Sequence, residues 1–277
     1  MTIKIVTDST ADLPPKLIKE LDIKVVPAYV RFGKELYRDG VDISDDELYH
    51  RLLSDPVHPV TEPPTPQDFT RVYEELSREA DGIVSIHISS KLSATCNSAL
   101  RAQELLPTDF PIEVIDSKLV TMGLGLLVKA AAQIVKSESA LPYVVDKVNK
   151  VIPDIKVLGL LDTLKYLARG GRIGRAKALL GTVLSVKPIL TIKDGEVEPA
   201  GQVRSWESGV DELYNFARNL TSIQDISIIY STVDEEAKAL SRRISAFVDE
   251  DKIILARLGP VLGVHTGPDI LFVAVRT

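Results

Sequence analysis

The stretch IVSIHISSKLSATCNSAL, residues 83–100, opens as a β-type run rich in Ile and Val, breaks into Ser89, Ser90, Ser93, Thr95 and Ser98, and then turns apolar again. The run reads as a buried strand and the break as its carboxyl end. Outward from this stretch the same alternation recurs. Strand-like runs occupy 3–7, 24–32, 82–89, 112–116, 155–161, 226–231, 252–258 and 270–276. Between them lie segments of helical period such as DELYHRLLS (46–54), PQDFTRVYEELSREA (66–80), LVTMGLGLLVKAAAQIV (119–135) and EEAKALSRRISAFVDE (235–250). Strands alternating with helices predict an α/β fold, with parallel or mixed sheets covered by helices. The segment 186–204 differs: two strands around Asp194-Gly195 read as a hairpin, because Asp-Gly suits a tight turn. The expectation is two domains. Residues 1–153 form an N-terminal, mostly parallel sheet flanked by helices, and residues 154–277 form a mixed α/β domain containing the hairpin. The boundary is placed in NKVIPDIKV (149–157).

Composition narrows the function. The 277 residues are 45% hydrophobic and 26% charged, an ordinary soluble balance, and exceed what one small core usually fills. A net charge of −6 argues against a nucleic-acid partner, since gripping phosphate backbones needs a basic face. The single cysteine, Cys96, cannot form an internal disulfide, so a reducing, cytoplasmic setting is expected. The opening MTIKIVTDST enters a strand pattern directly, without the apolar region of a signal peptide. The longest apolar candidate for a membrane span, MGLGLLVKAAAQIV, is cut by Lys129, so no stable membrane insertion is expected.

Five apolar runs end alike, in IVTDST, IHISS, EVIDSK, LGLLDT and IIYST. Helix capping accounts for Asp, Ser or Thr at such places. Ligands of open α/β sheets also bind outside the carboxyl ends of strands, where helix N-termini favour a small anion. Neither G-x-x-x-x-G-K-[ST] nor G-x-G-x-x-G follows any strand. Neutral hydroxyls in 89–98 suit one carboxylate attached to something else better than a di- or triphosphate. The four histidines lack metal-ligand spacing and there is no Cys/His cluster, so no metal is expected. Arg169, Arg172, Arg175 and Lys177 form the densest basic patch, either a solvated face or a docking and phosphate-contact surface.

Six blocks, KIVTDSTADLP (4–14), SSKLSATCNSA (89–99), VIDSKLVTMGLG (114–125), LKYLARGGRIG (164–174), LSVKPIL (184–190) and GPVLGVHTGPDILFVAV (259–275), resemble the DegV family in order and spacing. The resemblance covers nearly the whole chain. It implies two α/β domains, with a long-chain fatty acid in a buried tunnel between or beside them. Several members of that family serve as the binding subunit of a bacterial fatty acid kinase, which makes acyl-phosphate for phospholipid synthesis. The resemblance therefore implies a kinase partner that carries ATP and Mg, with no cofactor on this chain and no catalytic residue.

The family's carboxylate contacts carry over position by position. Its TSQPS corresponds to TEPPT (61–65), keeping Thr61 while Glu62 and Pro63 depart. Its SxLSGTYQSA corresponds to SKLSATCNSA (90–99), keeping Ser93 and Thr95 while Ala94, Cys96 and Asn97 depart. Its HTGPG corresponds to HTGPD, keeping His265 while Asp269 departs. The resemblance thus implies Thr61, Ser93 and His265 at the head group, with Thr95, Asn97, Asp8 and Ser9 as supporting candidates. A neutral-pH His265 is expected to donate to a carboxylate, or to pair with it if protonated. The competing reading is a serine hydrolase or acyltransferase with Ser93 as nucleophile, His265 as base and Asp8 or Asp116 as orienter. No G-x-S-x-G elbow surrounds Ser93. A third reading, a binder of phosphorylated metabolites, is weakened by the scarcity of cations at the strand ends.

Overall fold

The computed structural model describes residues 2–106, 109–137, 140–179 and 186–277. Leu184 and Ser185 of the block at 184–190 lie outside the described residues. The first sheet holds β1 (Ile3–Asp8), β2 (Ile23–Val26), β6 (Gly82–His87) and β7 (Ile112–Asp116) in the order β2-β1-β6-β7, all parallel. Parallel sheets are covered on both faces, so their strands read as nearly continuous apolar runs. All six residues of β6 are buried accordingly. The covering helices are α1 (Pro15–Glu20), α3 (Pro66–Leu76), α4 (Thr95–Leu105), α5 (Thr121–Ser137) and α6 (Leu141–Val151). A capping box between Thr65 and Asp68 starts α3.

The apolar run 24–32, expected as one strand, is two. Pro27 has no N–H to give a ladder, and the chain leaves the first sheet there. It resumes as β3 (Tyr29–Phe32), the centre of a separate antiparallel sheet between β4 (Glu35–Arg38) and β5 (Val60–Glu62). Neither flanking strand has a sequence signal: β4 shows no buried face and β5 is only three residues long. The inner face of this small sheet buries Val30 and Phe32 with α2 (Asp45–Ser54) and with α10 (Pro260–Thr266) from the far end of the chain.

The remaining strands are β8 (Ile155–Leu161), β9 (Lys187–Lys193), β10 (Glu196–Val203), β11 (Asp225–Tyr230), β12 (Ile253–Arg257) and β13 (Ile270–Arg276). They form a mixed sheet in the order β10-β9-β8-β13-β11-β12. The hairpin stands as expected: Asp194 and Gly195 both have positive φ, 50° and 82°, as a type I′ turn demands. One face of this sheet packs Leu160, Ile228, Leu271 and Val273 against α8 (Trp206–Arg218) and α9 (Asp234–Ile244). The other face turns toward α5 and the parallel sheet, in a hydrophobic cluster shared by both halves of the chain. Between β8 and β9 comes the short α7 (Lys165–Arg169), stopped by Gly170 and Gly171. Among the described residues no helix is long and apolar enough to cross a membrane.

Candidate functional site

A cavity of about 1070 Å³, mouth included, opens on the α5-facing side of the mixed sheet. Val157, Gly159 and Leu161 face it from β8, in the alternation that a strand imposes. Leu190, Ile192 and Phe272 extend the apolar wall. Thr10, Thr121, Thr191 and Thr266 also line it, yet their hydroxyls are committed to protein acceptors. Thr191 donates to the Val157 carbonyl at 2.8 Å, Thr121 to Asp12 at 2.5 Å, Thr266 to the Leu262 carbonyl at 3.1 Å, and Thr10 to Asp8.

The polar side chains with capacity left gather at one end. Thr61 is set by β5, where it lies opposite Val30, and His265 by α10. Their side chains meet, Thr61 Oγ1 to His265 Nε2, at 2.7 Å. The other ring nitrogen, Nδ1, is buried without a partner and faces Gly170, where a Cβ would stand 2.2 Å from it. Burial pushes the His265 imidazole down to about 4, and Arg172 and His58 push the same way. At neutral pH the ring is therefore uncharged, so it does not form the ion pair that a protonated ring would. Its proton belongs on Nε2, because an orphaned N–H at Nδ1 is worse than an orphaned lone pair. His265 then donates to Thr61, and the Thr61 O–H is left to donate into the cavity.

Ser93 completes this end. It does not cap α4: the N-cap is Ala94, which gives no side-chain hydrogen bond. Ser93 Oγ instead accepts from the Thr95 amide at 3.3 Å and shares a hydrogen bond with Thr95 Oγ1 at 2.8 Å. Arg172 ties the two sides of the mouth together, donating to the Leu92 carbonyl beside Ser93 at 3.3 Å and to the Gly170 carbonyl beside His265 at 2.8 Å. It has no carboxylate partner among the described residues. Glu62 also lines the mouth and is held by Arg31 at 2.5 Å.

Of the hydroxyls in 89–98, only Ser93 lines the cavity. Ser89 donates to the Gly195 carbonyl at 2.7 Å and Ser90 to Asp116 at 2.6 Å, so both hold loops together. Thr95 is buried behind Ser93, whereas Asn97 is exposed on α4 and absent from the lining. Ser9 is also absent from it; its hydroxyl accepts from the Ala28 amide at 3.0 Å. Arg175 is engaged with Glu198 at 2.6 Å and Glu196 at 3.3 Å, and Arg169 is exposed on α7. The hydrolase geometry is not assembled. Neither nitrogen of His265 bonds Ser93, and Asp116 is occupied by Ser90 and Lys118.

A serine–histidine–aspartate chain does exist elsewhere, and it explains Asp8. Tyr73 donates to Ser85 Oγ at 2.7 Å, Ser85 meets His87 Nε2 at 2.7 Å, and His87 Nδ1 meets Asp8 Oδ2 at 3.0 Å. Ser85, His87 and Asp8 have no exposed surface, so no substrate reaches them. The network fastens β1 to β6.

Two more buried carboxylates hold the helix that carries His265. Asp12 accepts from the Gly259 amide at 3.0 Å, at the start of α10, and Asp39 lies beside it. Burial pushes the Asp39 carboxyl up to about 7, against hydrogen bonds from Ser9 and the Val261 amide that favour its charge; burial raises Asp12 as well. A carboxyl raised in the folded state adds stability that is full below its unfolded value, 3.8, and lost as pH climbs through about 7. Below about pH 6.5 the lowered His265 imidazole works in the opposite direction, so resistance to urea is expected to fall between about pH 6.5 and pH 7.5, by on the order of 1 kcal/mol per pH unit at most from Asp39. In Asp39→Asn the decline is shallower; an unchanged pH profile in that variant contradicts the assignment.

The model of the DegV family matches residues 2–277. The chain belongs to the DegV family. A DegV domain-containing protein of Deinococcus radiodurans is 35% identical over 280 residues, covering 100% of this chain and 99% of its own. Among solved structures, the chain is similar to a fatty-acid-binding DegV family protein from Thermus thermophilus, 35% identical with a TM-score of 0.92 over 100% of both chains. It is also similar to a stearic-acid-binding protein from Eubacterium ventriosum, 28% identical with a TM-score of 0.89 over 99% and 98% of the two chains. The parallel and mixed sheets of this DegV chain match those structures. Sequence reasoning missed the cavity wall, since Val157, Leu161 and Leu190 look like ordinary core. The available signal was Gly159, because a glycine inside a strand marks a close approach.

Proposed function

We propose that this chain binds a long-chain fatty acid and presents its carboxylate to a separate ATP-dependent kinase subunit, which forms the acyl-phosphate. The observation that carries the reading is an apolar cavity whose remaining donor capacity gathers at one end: Thr61 backed by His265, Ser93, and the N–H groups that Arg172 has left. The tail supplies affinity, at roughly 0.8 kcal/mol per buried methylene, so a dozen contribute on the order of 10 kcal/mol before ordering costs. The head group must then escape the penalty of burying an unpartnered charge. Two hydroxyl donors at the mouth meet that need and keep the carboxylate near the surface, where a second protein can reach it. Arg172, exposed at the mouth, and Arg169, exposed on α7, suit an approaching phosphate donor. ATP and Mg belong to the partner in this reading, and the cytoplasm is where it places the pair. The fatty-acid-binding relatives support the ligand class.

Organic extraction of the purified protein followed by mass spectrometry is expected to release about one fatty acid per chain, or the lipid-free protein to take up added palmitate or oleate. Lipid-free protein that takes up neither contradicts the reading.

A further inference from the structure

We infer that Gly159 and Phe272 act together as a gauge of how much acyl chain the cavity admits. This rests on the fatty-acid reading and adds the residues that set its chain-length preference. Gly159 on β8 and Phe272 on β13 are direct partners across the antiparallel ladder, and both line the cavity. Phe272 keeps accessible surface in the middle of the sheet, whereas Ile270 and Ala274, its neighbours on the same face of β13, have none. The ring therefore owes its exposure to the cavity. It also covers Gly159: a Cβ there would stand 2.5 Å from Cδ1 and 2.6 Å from Cε1 of the ring. The backbone cannot yield, because β8 is hydrogen-bonded to β13 on one side and β9 on the other. Any side chain at 159 must lift the ring away from the sheet, and the open direction is the cavity. A glycine in this place keeps the floor low, and the phenyl ring defines it.

The test is binding of saturated fatty acids from 12 to 20 carbons to lipid-free wild type, Gly159→Ala, Phe272→Leu and the double variant. Gly159→Ala is expected to move the tightest-binding acid to a shorter chain and to weaken the acid that wild type prefers by about tenfold, the effect of roughly two methylenes left outside. Phe272→Leu is expected to move the optimum to a longer chain, and the double variant to return it toward wild type. Should Gly159→Ala fail to fold, Phe272→Leu alone decides. A Phe272→Leu profile identical to wild type overturns the gauge while leaving fatty-acid binding intact. Wild type that binds no acid of any length overturns both.

Discussion

Thr61→Val combined with Ser93→Ala is expected to leave a folded protein that no longer retains fatty acid. A hydrogen bond to a charged group contributes roughly 1.5–3 kcal/mol, and two of them correspond to a loss of affinity on the order of 10²–10⁴. Valine keeps the shape of threonine, so the cavity keeps its walls. The variant also leaves Nε2 of the buried His265 without its partner at 2.7 Å, which adds to the penalty for closing the site. The measurement is a titration of lipid-free protein with palmitate, alongside acyl-phosphate formation with a cognate kinase. Affinity within threefold of wild type would move the carboxylate to some other part of the cavity.

Asp8→Ala is expected to cost stability rather than binding. Asp8 is fully buried and accepts from the Thr10 amide at 3.1 Å, the Ile88 amide at 3.2 Å, His87 at 3.0 Å and the Thr10 hydroxyl. Removing the acceptor strands these donors inside the protein, at about 1–3 kcal/mol for each unsatisfied group that fails to find a substitute. A loss of roughly 3–5 kcal/mol in urea unfolding is the expected result. A change below about 1 kcal/mol would mean that water replaces the carboxylate without penalty.

Much of the architecture was legible because the strands of the parallel sheet are buried on both faces and carry uninterrupted Val and Ile. The hairpin was legible because Asp194-Gly195 meets a backbone demand that few residues satisfy. The small antiparallel sheet was not, because Pro27 splits an apolar run whose periodicity continues across it. At the site, Ser93 stood out as a hydroxyl at a strand end, but the same pattern also offered Ser89, Ser90 and Asp8. Local pattern cannot say which hydroxyl turns toward a loop and which toward a cavity. Thr61 and His265 are 204 positions apart, and only the packing of α10 on the small sheet joins them. The charge state of His265 was equally hidden, since it depends on burial that its neighbours in sequence do not announce. A cavity leaves no periodic trace, because its lining residues are those of a core with the centre left out.

The most direct measurement is a crystal structure of the protein loaded with palmitate. The carboxylate is expected within hydrogen-bond distance of Ser93 Oγ and Thr61 Oγ1, with the tail running over Gly159 and the ring of Phe272. A head group found at the apolar end beside Val157 and Ile192, or a lipid bound outside the cavity, would contradict the account.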